Sequence, residues 1–216
     1  LGKATSAEKV NFAATLVSTL NDVVAVAMAT YTVTHLCDYP LAIFYGEKEC
    51  MLTWRNFYPY MITWSIGYFT YDIFMMFFVF EWGGSFFIQS ICHHIMASSF
   101  GVVIMKYGGR AIPICYQVSM LCEWSMIFLN FRTLLGKNAK GTLPLLNNVC
   151  FFSSYTIFRI VMWPILAYQL YNSKNYYDFE NETQAHKIVF WATCCVLVLM
   201  YGLNLFWYKF IVNQVI

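Results

Sequence analysis

Charge is what this chain has least of: Asp, Glu, Lys and Arg make up 11% of its 216 residues, where a soluble domain carries about a quarter. The net charge is only +2 and no basic stripe occurs, which excludes a nucleic-acid surface. Histidine is also scarce. Four residues are too few for the histidine-rich sites of iron hydroxylases and desaturases. The eight cysteines form no CxxC pair and no Cys/His metal spacing, so no metal site or cofactor is expected from them. Internal repeats and inverted symmetry, the mark of many transporters, are missing as well.

What is there is apolar. The chain is 60% hydrophobic and 20% aromatic, which makes it an all-α, polytopic integral membrane protein. About six segments reach the length of a transmembrane helix, at about 11 to 34, 59 to 80, 86 to 105, 112 to 131, 146 to 170 and 187 to 211. They form one transmembrane domain over residues 1–216. Breakers separate them: Pro40 after the first span, Gly83-Gly84, then Gly108-Gly109 with Pro113, then the polar loops GKNAKGTLP and NSKNYYDFENETQ. The chain begins at Leu1, which leaves room for an upstream targeting signal or a further span.

Six spans put both termini on one side, with the loops after spans two and four. Lys3, Lys9, Arg132, Lys137, Lys140 and Lys209 lie there, against Lys48, Arg55, Lys106, Arg110, Lys174 and Lys187 opposite, so the basic count leaves orientation open. The cluster Arg132, Lys137 and Lys140 leans towards a cytosolic terminal side. Most cysteines lie in or beside apolar runs as small hydrophobes. Cys37 and Cys50 share the first loop and could pair if it faces an oxidising lumen.

Polar residues inside the spans carry the functional signal, because each must find a partner in a medium without water. Antiparallel helices bring together residues of equal depth. Asp72, the adjacent His93 and His94, Glu123 and Asn204 each lie seven to nine residues from the terminal side, about 10 to 14 Å into the membrane. Arg159 starts deeper, but its side chain can reach back to that layer. Tyr71 and Ser98 are candidate hydroxyl partners. Neighbouring residues on a helix point about 100° apart, so the two histidines face different partners: one acts while the other orients or packs. A carboxylate holding one imidazole nitrogen leaves the other free as a base or nucleophile. The plainer alternative is that these groups hold a bundle together, at about 0.6 to 2 kcal/mol per contact. Arg132, at the membrane edge, either snorkels to the interface or meets an anionic phosphate. Aromatic runs such as YFTYDIFMMFF and NLFWYKF face lipid or pack the bundle.

The order GYFTYDIFM, FIQSICHHIMASSFGV, LCEWSMIFLNFR, YTIFRIVMWP and GLNLFWYKF resembles the TLC domain shared by TRAM, the ceramide synthases and a neuronal ceroid lipofuscinosis membrane protein, most closely the smaller TLC-domain-containing proteins. The resemblance rests on Asp72, His93-His94, Glu123 with Asn130 and Arg132, and Arg159. It implies a helical barrel around a lipid-accessible cavity lined by the histidines, in the endoplasmic reticulum or a related endomembrane, with the mitochondrial inner membrane as the alternative. Its partners would be membrane lipids, a fatty acyl chain, sphingolipid or phospholipid, or a membrane protein complex.

By the same resemblance His93, His94 and Asp72 are the candidate catalytic residues. His93 or His94 would take an acyl chain or activate an amine, Asp72 would orient that imidazole, and Arg132 would meet the phosphates of acyl-CoA as cosubstrate. Glu123, Asn130, Arg132, Arg159, Asn204 and Tyr71 are the candidate cavity and lipid-binding residues. Two departures count against acyl transfer: Glu123 stands alone where ceramide synthases carry two aspartates, and the first span reads STLND where small TLC proteins often carry histidine. The expected function is lipid or acyl-chain binding that influences membrane lipid composition. The alternatives are a ceramide-synthase-like acyltransferase and a structural subunit of a larger membrane assembly.

Overall fold

An apolar run in lipid has to satisfy its backbone internally, and each long run here does so as helix. The computed structural model describes residues 6–35, 42–52, 57–78, 85–109, 111–136 and 139–215, with backbone alone at 6–9, 85–87 and 214–215. Helix α1 spans Ser6–His35; a short α2, Lys48–Leu52, lies in the first loop; α3 spans Tyr58–Phe78 and α4 Ser85–Tyr107. Helices α5, Ile112–Ser119, and α6, Glu123–Leu135, are joined by a 3₁₀ turn at Met120–Cys122 into one rod. Helices α7, Thr142–Tyr155, and α8, Met162–Ser173, are joined by a π-helical turn at Thr156–Val161, and α9 spans Gln184–Val215. No strand occurs among the described residues.

Among the described residues, five helical stretches are long and apolar enough to cross a membrane: Val10–His35, Ile88–Tyr107, Ile112–Leu135, Thr142–Tyr176 and Gln184–Asn213. That is one fewer than the six expected from the sequence. The remaining one is α3, whose 21 residues rise about 30 Å. Its Tyr and Trp side chains lower its hydropathy while suiting a membrane interface.

The joints within the rods have local causes. Ser119 Oγ donates to the Tyr116 carbonyl at 2.6 Å and Ser125 Oγ to the Cys122 carbonyl at 2.8 Å, and such back-bonding bends a helix around the 3₁₀ turn between them. Pro164 has no N–H for the Ile160 carbonyl, and its ring would crowd that carbonyl in a regular helix. The π turn just before it opens the ladder: the Met162 N–H bonds five residues back, to the Ile157 carbonyl.

Packing closes a cycle. Helix α3 lies along α4, α4 along α9, α9 along α8, α7 along α6, α6 along α1, and α1 returns to α3. Helix α5 sits within the cycle against α1, α3, α4 and α8, and each of its residues is buried. Close approach of α3 and α4 depends on Gly101, where a Cβ would stand 2.7 Å from Ile66 Cγ1.

The first loop covers the end of the bundle away from the termini. Ile43 and Met51 are fully buried, Gln169 Nε2 donates to the Phe44 carbonyl at 3.0 Å, and Tyr176 Oη to the Gly46 carbonyl at 2.8 Å. Gly46 has φ +70°, and a Cβ there would fall 2.3 Å from Gln169 Oε1. Cys50 is disulfide-bonded, while Cys37, its expected partner, lies outside the described residues. Arg55, Arg110 and Lys137 lie outside them too.

Candidate functional site

The histidines part company as their helical spacing requires. His94 turns towards α3, where its Nδ1 stands 2.8 Å from Asp72 Oδ2. That distance suits an ion pair, although the ring is not turned to make a well-directed hydrogen bond. His93 turns inward. Its ring lies edge-on to Phe69, with centroids 6.3 Å apart, and 6.0 Å from the Trp207 ring. Gln89 Oε1 fixes that indole by accepting from Nε1 at 2.8 Å. His93 Nδ1 is buried without a partner among the described residues. Asp72 therefore positions His94, not the histidine that faces the interior.

A second polar group forms where α6, the π turn and α9 meet. The π turn directs Arg159 inward, 3% exposed, so that Nε donates to Ser125 Oγ at 2.8 Å and an Nη to Asn204 Oδ1 at 3.3 Å. Its other Nη lies 3.8 Å from Glu123 Oε1, an ion pair rather than a hydrogen bond. The Cys122 thiol donates to the same oxygen at 3.3 Å. Tyr155 completes the group by donating to the Asn204 carbonyl at 3.0 Å.

A third group ties α1 to α3 and α6. Asp22 is 1% exposed and accepts from Asn130 Nδ2 at 2.9 Å. The same amide reaches Ser18 Oγ at 3.1 Å, and Ser18 shares a hydrogen bond of 2.9 Å with Tyr68. Trp64 Nε1 donates to Asn21 Oδ1 at 2.9 Å. Asn130 is thus a helix tie, away from the cavity wall. Asp22 and Tyr68 were not among the candidates, yet a lone carboxylate in the first apolar run is the same signal that marks Asp72.

One cavity of about 50 Å³ lies between these groups. His93, Cys122 and Glu123 border it at the level nearer the termini; Phe100, Cys115, Tyr116, Trp163 and Thr193 border it further in. Wall residues on the α5–α6 rod and on α8 are buried, whereas His93, Met96, Ala97 and Phe100 on α4 and Val196 on α9 are partly exposed, so the cavity approaches the surface at the α4–α9 seam. Of the other candidates, Arg159 stands behind Glu123, while Asp72 and Asn204 lie further back, against His94 and Arg159. Tyr71 is 38% exposed on the outer side of α3, and Arg132 is exposed near the end of α6. Ser98 Oγ is buried and unpartnered among the described residues. No group of three or more His, Cys, Asp or Glu among the described residues could hold a metal ion.

Neither the curated proteins nor the solved structures contain a match to this chain. The model of one family, the TLC domain, matches residues 11–213. With five membrane-length apolar helices and a match over nearly the whole of its length, this multi-pass integral membrane protein belongs to the TLC domain family.

Proposed function

We propose that the protein holds a lipid acyl chain in the cavity between α4, α9 and the α5–α6 rod, with the lipid's polar end beside His93 and Glu123, and so influences membrane lipid composition. One observation supports this above the others: the side chains of His93 and Glu123 share one end of a slot whose walls are otherwise mainly apolar. An amphipathic molecule has the same division. At about 50 Å³ the slot is smaller than the roughly 300 Å³ or more of ligand pockets, so loading requires the walls to move. Met96, Met120 and Met200 provide unbranched, adaptable side chains for that movement. Native mass spectrometry of protein purified in mild detergent tests the proposal. Wild type should carry a lipid that Ala97→Phe, which fills the slot at the seam, loses. Wild type that reaches the detector bare in every detergent sinks it.

A second reading, acyl transfer, is favoured by the 2.8 Å contact of His94 with Asp72 directly beside the inward His93. His93 would accept the proton of a lipid amine as its nitrogen attacks the thioester carbonyl of acyl-CoA. An N–C bond forms, the C–S bond breaks, and coenzyme A leaves as the thiol. Labelled acyl-CoA with a long-chain amine should then yield amide from wild type and none from the His93→Ala, His94→Ala double variant. Absence of amide from wild type rejects this reading and leaves lipid binding standing.

A further inference from the structure

A second pocket opens at the end of the bundle away from the termini, where α8 leads through a short loop into α9. At about 290 Å³ it is near the roughly 300 Å³ at which ligand pockets begin, and its wall is as polar as it is apolar, unlike that of the slot in the core. Lys174, the first residue after α8, and Asp178 and Glu180 in the loop border it, together with the rings of Tyr177, Phe179 and Trp191. The rings are held in place. Tyr177 Oη shares a hydrogen bond of 3.2 Å with His186 Nε2, and Phe179 lies edge-on to Tyr177 and to Trp191, with centroids 6.0 and 6.4 Å apart. Lys174 Nζ stands 3.7 Å over the Tyr171 ring and 5.5 Å from that of Trp191, with no carboxylate in ion-pair range among the described residues. Asn181 occupies one oxygen of Asp178 at 2.6 Å, while the Glu180 carboxylate has no partner among the described residues.

One cation and two carboxylates leave this wall net negative, so it disfavours a simple anion and matches a ligand that carries both signs. We propose that the pocket binds the phosphocholine head group of a phospholipid in the adjoining leaflet, with the phosphate on Lys174 and the quaternary ammonium between the rings of Tyr177 and Phe179 and the carboxylates of Asp178 and Glu180. A quaternary ammonium has no N–H to donate, and aromatic faces hold it electrostatically. The order of the groups suits a lipid. Lys174 adjoins the membrane helix and the acids lie in the loop beyond it, just as a head group keeps its phosphate nearer the bilayer than its ammonium. Tyr171, Ile188 and Trp191 are exposed on the helices beside the pocket and offer acyl chains an apolar wall that free phosphocholine would not use. The site is separate from the core slot and does not rest on the lipid-binding reading above.

Phosphatidylcholine and phosphatidylglycerol with matched acyl chains serve as probes, because they share the phosphate and differ in the ammonium. Their binding to the purified full chain in detergent is titrated by native mass spectrometry. Wild type should bind phosphatidylcholine at least about fivefold tighter. Asp178→Asn with Glu180→Gln, both exposed, should abolish that preference, and Lys174→Met should weaken both lipids about tenfold. Ala97→Phe, which fills the core slot, should leave the preference intact, so failure of this site and failure of the slot are told apart. Equal affinity of wild type for the two lipids overturns the proposal, whatever the variants do. A preference that survives in the acidic double variant, or that disappears in Ala97→Phe, overturns it as well. Free phosphocholine that displaces phosphatidylcholine at equal concentration overturns the lipid as its source.

Discussion

Arg159 and Glu123 are both buried, and each is the other's charge partner at 3.8 Å. Removing one strands the other. Arg159→Met should therefore lower stability by about 3 to 5 kcal/mol, seen as a fall in the midpoint of thermal unfolding in detergent. Adding Glu123→Gln to that variant should recover part of the loss, and no recovery would show that the ion pair is not what Arg159 contributes. Gly101 makes a steric rather than an electrostatic contribution. Gly101→Ala puts a Cβ 2.7 Å from Ile66 Cγ1 and should cost about 1 to 3 kcal/mol by the same assay, because the α3–α4 seam has to open to admit it. His94→Ala is expected to weaken lipid retention less than His93→Ala, because only His93 borders the cavity; native mass spectrometry of the two variants compares them.

At the scale of elements, depth was legible in the sequence and neighbourhood was not. Counting residues in from the membrane edge brought Asp72 level with the histidines and Arg159 within reach of Asn204, since a helix fixes its rise per residue whatever surrounds it. The same count could not say that Asp72 meets His94 rather than His93, because facing depends on which helix lies alongside. Nor did hydropathy reveal that α5 fills the middle of the bundle. An apolar rod reads alike against lipid and against protein, and only the packing separates them. The π turn was equally hidden, since a single proline inside an apolar run does not reveal the widening that turns Arg159 inward. Asn130, a candidate cavity residue, ties α6 to α1. The covering loop adds a prediction at this scale: Cys50→Ser should cost about 2 to 4 kcal/mol without reductant, and a reducing agent should bring wild type down to the variant.

For the whole molecule, the basic residues leave orientation open, and we read the disulfide at Cys50 as favouring a loop end in an oxidising compartment with the termini opposite. Lys140 is exposed on the terminal side. In sealed vesicles with their cytosolic face outward, a cysteine at that position (K140C) should react with a membrane-impermeant maleimide without permeabilisation, and protection would reverse the assigned orientation. Helix α5 and the covering loop close the end of the bundle away from the termini, and the partly exposed wall residues among those described lie on α4 and α9. A bilayer is two chemically different sheets of lipid. A binding site blocked on one side and open on the other would sample just one of them, and the protein would respond to that sheet's composition however the opposite sheet changed.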